Sequence, residues 1–311
     1  MPVTVVAAAR TPTGRKQQLA ALLRHLREQS RWTQRDAGVA VWPKASPASG
    51  QNKIARLEGG NLGIDEADLR RLLELYAVTD ELVVDLALGL QADTSQRGRW
   101  SGFRSVYHPE VYRQFIDLEE DAELIRYVTN ERVPDLLQCT AYARAEFERG
   151  QGSADRLAEN TVQATLDRQQ RVLFRDNPAR FHCVLSESSI RRVQGDEDVM
   201  REQLLHLVTL SRYPHITIQV LPFRPRRPAS SVIAQQGILE RFALLRLATP
   251  GGPGDFPAHL DFVFTKTGNE LTCDDDVARY ERIWTNASEN ALEAGQTWDL
   301  LGEVAADFGV N

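Results

Sequence analysis

Between residues 15 and 90 the chain sets apolar residues at helical spacing five times in succession, with a stop or cap signal between one run and the next. Leu19, Leu22, Leu23 and Leu26 fall at i, i+3, i+4, i+7, which predicts a first helix over residues 15–30. Thr33 reads as the N-cap of a short second helix, with Asp36 standing in for a capping-box Glu. A third helix is expected from Ser49 or Gly50 to Gly59-Gly60, where glycine supplies a left-handed stop. Within GQNKIARLEGG, Ile54 and Leu57 point inward while Gln51, Asn52, Lys53 and Arg56 stay outside. A fourth helix follows Asp65, with Leu69, Leu72, Leu73 and Tyr76 as its stripe. A fifth starts at Thr79 and is expected to bury Leu82, Val83, Leu86 and Leu90.

Charge is spread unevenly over this pattern. Residues 10–60 hold ten Lys or Arg against Glu28, Asp36 and Glu58, so the segment is +7 in a chain of net charge -6. A basic block in an acidic chain is the footprint expected when one module alone meets phosphate. A solvated basic face is the plain alternative, and charge does not separate the two. The outward row does more. Gln and Asn pair with adenine through two hydrogen bonds and Arg with guanine, so long polar side chains suit a helix that enters the major groove. Acidic groups elsewhere are screened beyond ~8 Å at physiological salt.

Five short helices, basic over the second and third, have the shape of a helix-turn-helix domain. The strings LRHLREQSRWTQRD, NKIARLEGG and IDEADLRRLLELYAV resemble the XRE or lambda-repressor-like family of DNA-binding domains. The resemblance implies that Thr33 and Gln34 match a phosphate-contacting pair. It also implies that Gln51, Asn52 and Lys53 match the head of the recognition helix, with Arg56 a turn later. Two departures stand out. VWPKASPASG, with Pro43 and Pro47, makes a longer crossing from helix two to helix three than the family's tight turn, which either carries Lys44 toward a phosphate or alters the angle of the third helix. Ala37-Gly38 replaces the family's Leu-Ala, from which looser packing and a glycine cost of about 1 kcal/mol are expected.

Residues 92–105 are polar and glycine-bearing, a linker by composition. Beyond them helical and alternating patterns mix. Strands are predicted near 123–128, at FHCVLS with Phe181, Cys183 and Leu185 inward, at HITIQVLP, and over 239–247, 260–264 and 270–273. Helices are predicted over 108–115, at YARAEFERG, over 154–174, around Met200, Leu204, Leu207 and Val208, and from Asp274 and Ala291. The fold class is therefore multi-domain: an N-terminal all-α five-helix helix-turn-helix domain followed by a mixed α/β (α+β) domain. The expected divisions are a flexible arm over 1–14, the helix-turn-helix domain over 15–91, the linker over 92–105, and the mixed domain over 106–311.

FIDLEEDAELIRY, VPDLLQCTAYARA, VLFRDNPARFHCVLSESSIRR and ITIQVLPF resemble the second domain of the actinobacterial WhiJ-like regulators. That resemblance implies a transcription regulator, antitoxin-like in some classifications, with a small neighbouring-gene protein as partner. Asp135 stands where the family motif usually has Gly, Cys139 where it has Thr, and Phe264 where it often has Glu.

Catalytic and metal chemistry find little support. His25, His108, His182, His206, His215 and His259 show no paired spacing. Glu187 among Ser186, Ser188 and Ser189 reads as a helix cap, and Asp274, Asp275 and Asp276 as acids at a helix start. TPGGPGD lacks the Lys-Ser/Thr of a phosphate loop and reads as a flexible turn. RPRRP, residues 224–228, reads as a solvated basic loop. Cys139, Cys183 and Cys273 are an odd, scattered three, which fits a reducing cytoplasm. No run of ~18 apolar residues predicts a membrane span. The expectation is thus a non-enzymatic, homodimeric regulator of double-stranded DNA without cofactor or metal. The alternative is an antitoxin-like interaction protein whose main role is to hold a small partner.

Overall fold

The computed structural model describes residues 8–92, 100, 106–107, 109–151, 155–224, 238, 240–265, 270–273 and 275–309. The chain divides into two compact units. One comprises Met1–Gly102 with Ile116–Asp121 and Leu247–Leu260, and the other comprises Phe103–Phe115, Ala122–Arg246 and Asp261–Asn311. The expected linker falls almost wholly outside the described residues.

The first unit holds α1 (Pro12–Gln29), α2 (Gln34–Val41), α3 (Pro47–Glu58), α4 (Glu66–Leu75) and α5 (Glu81–Ala92). Thr11, Thr33, Ser46 and Asp65 each accept a backbone N–H at the start of their helix. Such a cap typically contributes ~1 kcal/mol. Leu19, Leu22, Leu26, Ile54, Leu69 and Leu72 form the centre of the shared core. The stripe of α5 differs from expectation. Val83, Ala87 and Leu90 face the bundle, and Leu82 is 78% exposed. Successive helical residues are turned ~100° apart, so the Val83 face leaves Leu82 outside.

Of the arm expected over residues 1–14, residues 1–7 lie outside the described residues. The helix begins at Pro12 rather than at Arg15, and the chain just before it is tied down. The Asp121 carboxylate accepts from the backbone N–H groups of Arg10, at 2.6 Å, and Thr11, and from the Thr11 hydroxyl. The Ala9 N–H donates to Gln18 Oε1 at 2.9 Å. The first turn of a helix offers unpaired N–H groups, and a nearby carboxylate meets them. Residues 249–255 form a closed loop instead of a loose turn, since Thr249 bonds the carbonyls of Ala258 and Pro257. His25 contacts the Pro253 carbonyl at 3.0 Å and the edge of Phe256.

The second unit is built on a six-stranded sheet in the order β3-β2-β1-β4-β5-β6. Its strands are β1 (Leu124–Thr129), β2 (Arg180–Ser186), β3 (Ile216–Leu221), β4 (Phe242–Ala248), β5 (His259–Thr265) and β6 (Glu270–Thr272). β1, β2 and β3 run parallel, with Ile125 opposite Phe181 and Cys183 opposite Ile218, whereas β4 joins β1 antiparallel. Parallel neighbours need crossovers, which helices supply here. They are α7 (Thr140–Gln151) and α8 (Asp155–Leu173) between β1 and β2, then α9 (Glu187–Arg191) and α10 (Glu197–Leu210) before β3. α6 (Glu110–Asp121) precedes the sheet, and α11 (Asp275–Asn290) and α12 (Ala294–Asp307) close the chain. Val128, Val184, Phe242, Leu244 and Val263 form an apolar cluster with Val277, Tyr280 and Ala287 of α11.

His182 on β2 is packed edge-on against Trp284 and bonds the Gln219 side-chain oxygen at 2.6 Å. Burial holds this imidazole below its ordinary value of 6.5, against the opposing pull of the Gln219 bond. The unfolded chain therefore takes up the proton first as pH falls below that value. Stability is present above 6.5 and is lost on acidification toward the lower folded value. Urea unfolding at about pH 7.5 and about pH 5.5 should show a loss of stability at the lower pH that shrinks in His182→Gln.

Candidate nucleic-acid interface

α3 is the element on which a groove contact depends. Its start lies earlier than the glycine pattern predicts, because Ser46 caps Ser49 N–H and Pro47 occupies the first turn. Proline suits that place, since its missing N–H would have no helical partner. The crossing from α2 is accordingly only residues 42–46, and the extra residues of VWPKASPASG lengthen α3 instead of the turn. Gln51, Asn52 and Lys53 thus follow the first turn and do not form the head of the helix, which is Pro47, Ala48 and Ser49.

Gly50, Ile54 and Leu57 of α3 are buried, and the Glu58 side chain at its end is covered as well. Pro47, Ala48, Ser49, Gln51, Asn52, Lys53, Ala55 and Arg56 are all exposed, so most of the helix circumference is free of the protein's own body. Lys53 sets its ammonium 4.8 Å from the centroid of the Trp42 ring. Trp42 is anchored by its indole N–H, which donates to Asp68 of α4 at 2.6 Å. The side chain of Lys53 is therefore held near the α2–α3 crossing by a cation–π contact. Lys44, in that crossing, and Arg31 and Arg35 nearby in sequence are exposed.

Two features fix α3 on the bundle. Gly38 of α2 meets Gly50 of α3 backbone to backbone. A Cβ placed on Gly38 would lie 2.3 Å from the Gly50 carbonyl carbon, and one on Gly50 would lie 2.8 Å from that of Gly38. The glycine expected to loosen α2 is instead the residue that lets the two helices touch. The second feature is a buried ion pair at the far end of α3. Arg27 of α1 donates two bonds to Glu58, from Nε at 2.5 Å and from Nη2 at 3.0 Å. The Glu58 side chain is 4% exposed and that of Arg27 is 10% exposed. Hydrogen bonding to Glu58 pushes the Arg27 guanidinium above its ordinary value, so it stays charged.

The carried-over pair at the start of α2 divides in role. Thr33 is exposed, and its hydroxyl accepts from Asp36 N–H at 3.1 Å and donates to the Asp36 carboxylate at 2.7 Å. Gln34 is half-buried and donates its amide to Glu58 Oε2 at 2.8 Å. It therefore joins the network that holds α3. Sequence reading passed over Glu58 and Gly38–Gly50 as a hub and a contact; Ser46-Pro47 was a readable cap-and-start signal.

Elsewhere, the Ser186 hydroxyl caps α9, in keeping with a structural role for the Ser-Glu cluster. Among the described residues no group of three or more His, Cys, Asp or Glu is placed to hold a metal ion. Among them also, no helix is long and apolar enough to cross a membrane. Of RPRRP, residues 225–228 lie outside the described residues. Asp135 and Phe264, both singled out in the sequence, line one cleft in the second unit.

A compact bundle with α3 carried outward on α2 defines the helix-turn-helix class, and that class suggests a DNA-binding regulator. The family model described as Helix-turn-helix domain matches residues 18–86. The chain belongs to the family described as Domain of unknown function (DUF5753), whose model matches residues 112–303. Searches of the curated proteins and of the solved structures found no match.

Proposed function

We propose that this protein is a sequence-specific DNA-binding transcription regulator that acts without catalysis. The observation that supports it most is the exposed row Gln51, Asn52, Lys53 and Arg56 on a helix whose inner face is Gly50, Ile54, Leu57 and the Glu58 side chain. In this reading Gln51 and Asn52 read base edges, Arg56 meets a base or phosphate a turn later, and Lys53, Lys44 and Thr33 meet the backbone. Gln34 acts on the backbone's approach through Glu58. Two copies are expected to bind two half-sites about a helical turn apart. The second unit carries dimer, effector or small-partner contacts in a regulator of the WhiJ-like kind.

Gln51→Ala is expected to cost about 1–3 kcal/mol at one base position and to relax specificity there. Lys53→Ala should weaken every sequence alike and lower the salt slope by about 1. Titration of a promoter-fragment pool at two salt concentrations measures both. Equal affinity for all fragments, unmoved by either substitution, would remove the proposal.

A further inference from the structure

α1, α3 and α4 end in the same closed turn, and a different residue holds its left-handed position in each. After α1 the N–H groups of Arg31 and Trp32 bond the carbonyls of Glu28 at 3.0 Å and Arg27 at 3.1 Å. Gly60 and Asn61 repeat the pattern after α3, and Ala77 and Val78 after α4. The left-handed residues are Arg31 at φ 60°, Gly60 at φ 66° and Ala77 at φ 55°. Glycine enters this region freely, whereas a Cβ crowds the following carbonyl. Gly60 is required there, since its added Cβ would lie 2.5 Å from Gln17 Nε2. Ala77 bears the crowding with a single methyl group. Arg31 bears it with a long charged side chain that is exposed and has no acceptor among the described residues. A left-handed residue whose side chain gives the fold nothing points to a use outside the fold.

The charges around this turn name the partner. Arg24, Arg27, Arg70 and Arg71 are paired with Glu28, Glu58, Glu66 and Asp68. Arg31, Arg35, Lys44 and Arg56 are exposed beside or on α2 and α3, and among the described residues none of the four has an acceptor. The acids closest to Arg31 in sequence are engaged elsewhere. Glu28 accepts from Arg24 and Arg27, and Asp36 from the Thr33 hydroxyl at 2.7 Å. The turn itself is held on both sides. Trp32 packs on the core and its carbonyl accepts from Arg27 Nη1 at 2.9 Å, and Thr33 caps α2. We propose that Arg31 is an anchor for the DNA backbone, taking a phosphate beside the groove that α3 enters. A guanidinium suits this, because its planar fork of donors matches phosphate oxygens and its charge is permanent. The left-handed turn is kept with arginine because the contact outweighs the crowding. This adds a sequence-independent contact to the DNA-binding reading above and rests on it.

The test is anisotropy titration of the full chain with a mixed-sequence DNA duplex over a series of salt concentrations, beside thermal unfolding of each variant. Arg31→Gly should weaken binding roughly fivefold to tenfold at ~0.1 M salt and lower the salt slope by about 1, alike for every sequence. Its melting temperature should hold or rise, because glycine relieves the turn. Arg31→Lys keeps the charge and should recover most of the affinity and of the slope. Ala77→Gly relieves the matching turn after α4 and should leave DNA binding unchanged. A lowered melting temperature in Arg31→Gly would show that the side chain serves the fold, and affinity and slope equal to those of the parent chain would leave it no phosphate. Either result overturns the assignment. A parent chain that binds no duplex removes the DNA-binding reading and this contact with it, so the parent alone tells the two failures apart.

Discussion

Glu58→Ala should cost about 3–5 kcal/mol of stability in the first unit, the range for removing one partner of a buried ion pair. The loss comes less from the missing attraction than from what remains. Arg27 stays charged and buried with both Glu58 bonds gone and only the exposed Glu28 carboxylate and the Trp32 carbonyl left to it, and the Gln34 amide loses its bond as well. Domains of this kind are stable by only about 5–15 kcal/mol, so much of the margin disappears. The α3 end that carries Arg56 is released at the same time, and DNA affinity should fall with stability. Replacing both partners by apolar residues, Arg27→Met with Glu58→Leu, should restore most of the stability because no unpaired charge is left. Urea unfolding of the two single variants and the double variant gives the coupling directly. A loss below ~1 kcal/mol for Glu58→Ala would show the pair to be solvated like a surface bridge.

Gly38→Ala should be nearly as damaging, at about 3 kcal/mol, the upper part of the usual range for overpacking. The obstacle is backbone, the carbonyl of Gly50, which has no rotamer by which to give way. Alanine is the better helix former by roughly 1 kcal/mol, so intrinsic propensity alone predicts the opposite sign. The clash outweighs propensity because α2 and α3 must separate to admit one methyl group. That separation re-aims α3, and DNA binding should weaken beyond what the loss of folded population explains. Gly89→Ala is the control: nothing lies within 4 Å of its added Cβ, so propensity should prevail and stability should rise slightly. Thermal unfolding of the two variants beside fragment titrations at a temperature where both are folded separates the two effects.

Those two positions also mark where sequence reasoning ran out. The stripes of α1 and α4, the caps Thr33 and Asp65, and the outward row of α3 all follow from local spacing, and each was legible. Ser46-Pro47 was equally local, but two prolines in VWPKASPASG made a loop the readier reading. The contact of Gly38 with Gly50 and the pair Arg27–Glu58 depend on how three helices cross, which no spacing rule encodes. α5 is apolar on several faces, so its pattern does not fix its phase, and Leu82 lies outside where the spacing places it inside. In the second unit the alternation of β2 and β3 located the strands, whereas the order β3-β2-β1-β4-β5-β6 is a matter of long-range pairing. The tie of Arg10 and Thr11 to Asp121 is likewise remote in sequence and fixes the chain directly ahead of α1.

Selection of duplexes from a random-sequence pool by the full chain, repeated with Gln51→Ala, addresses the groove-reading role of α3 most directly. The expected result is an enriched site of two related half-sites, with information lost at one position of each half in the variant. Recovery of no enriched sequence, or of the same sequence with full information from the variant, would contradict it.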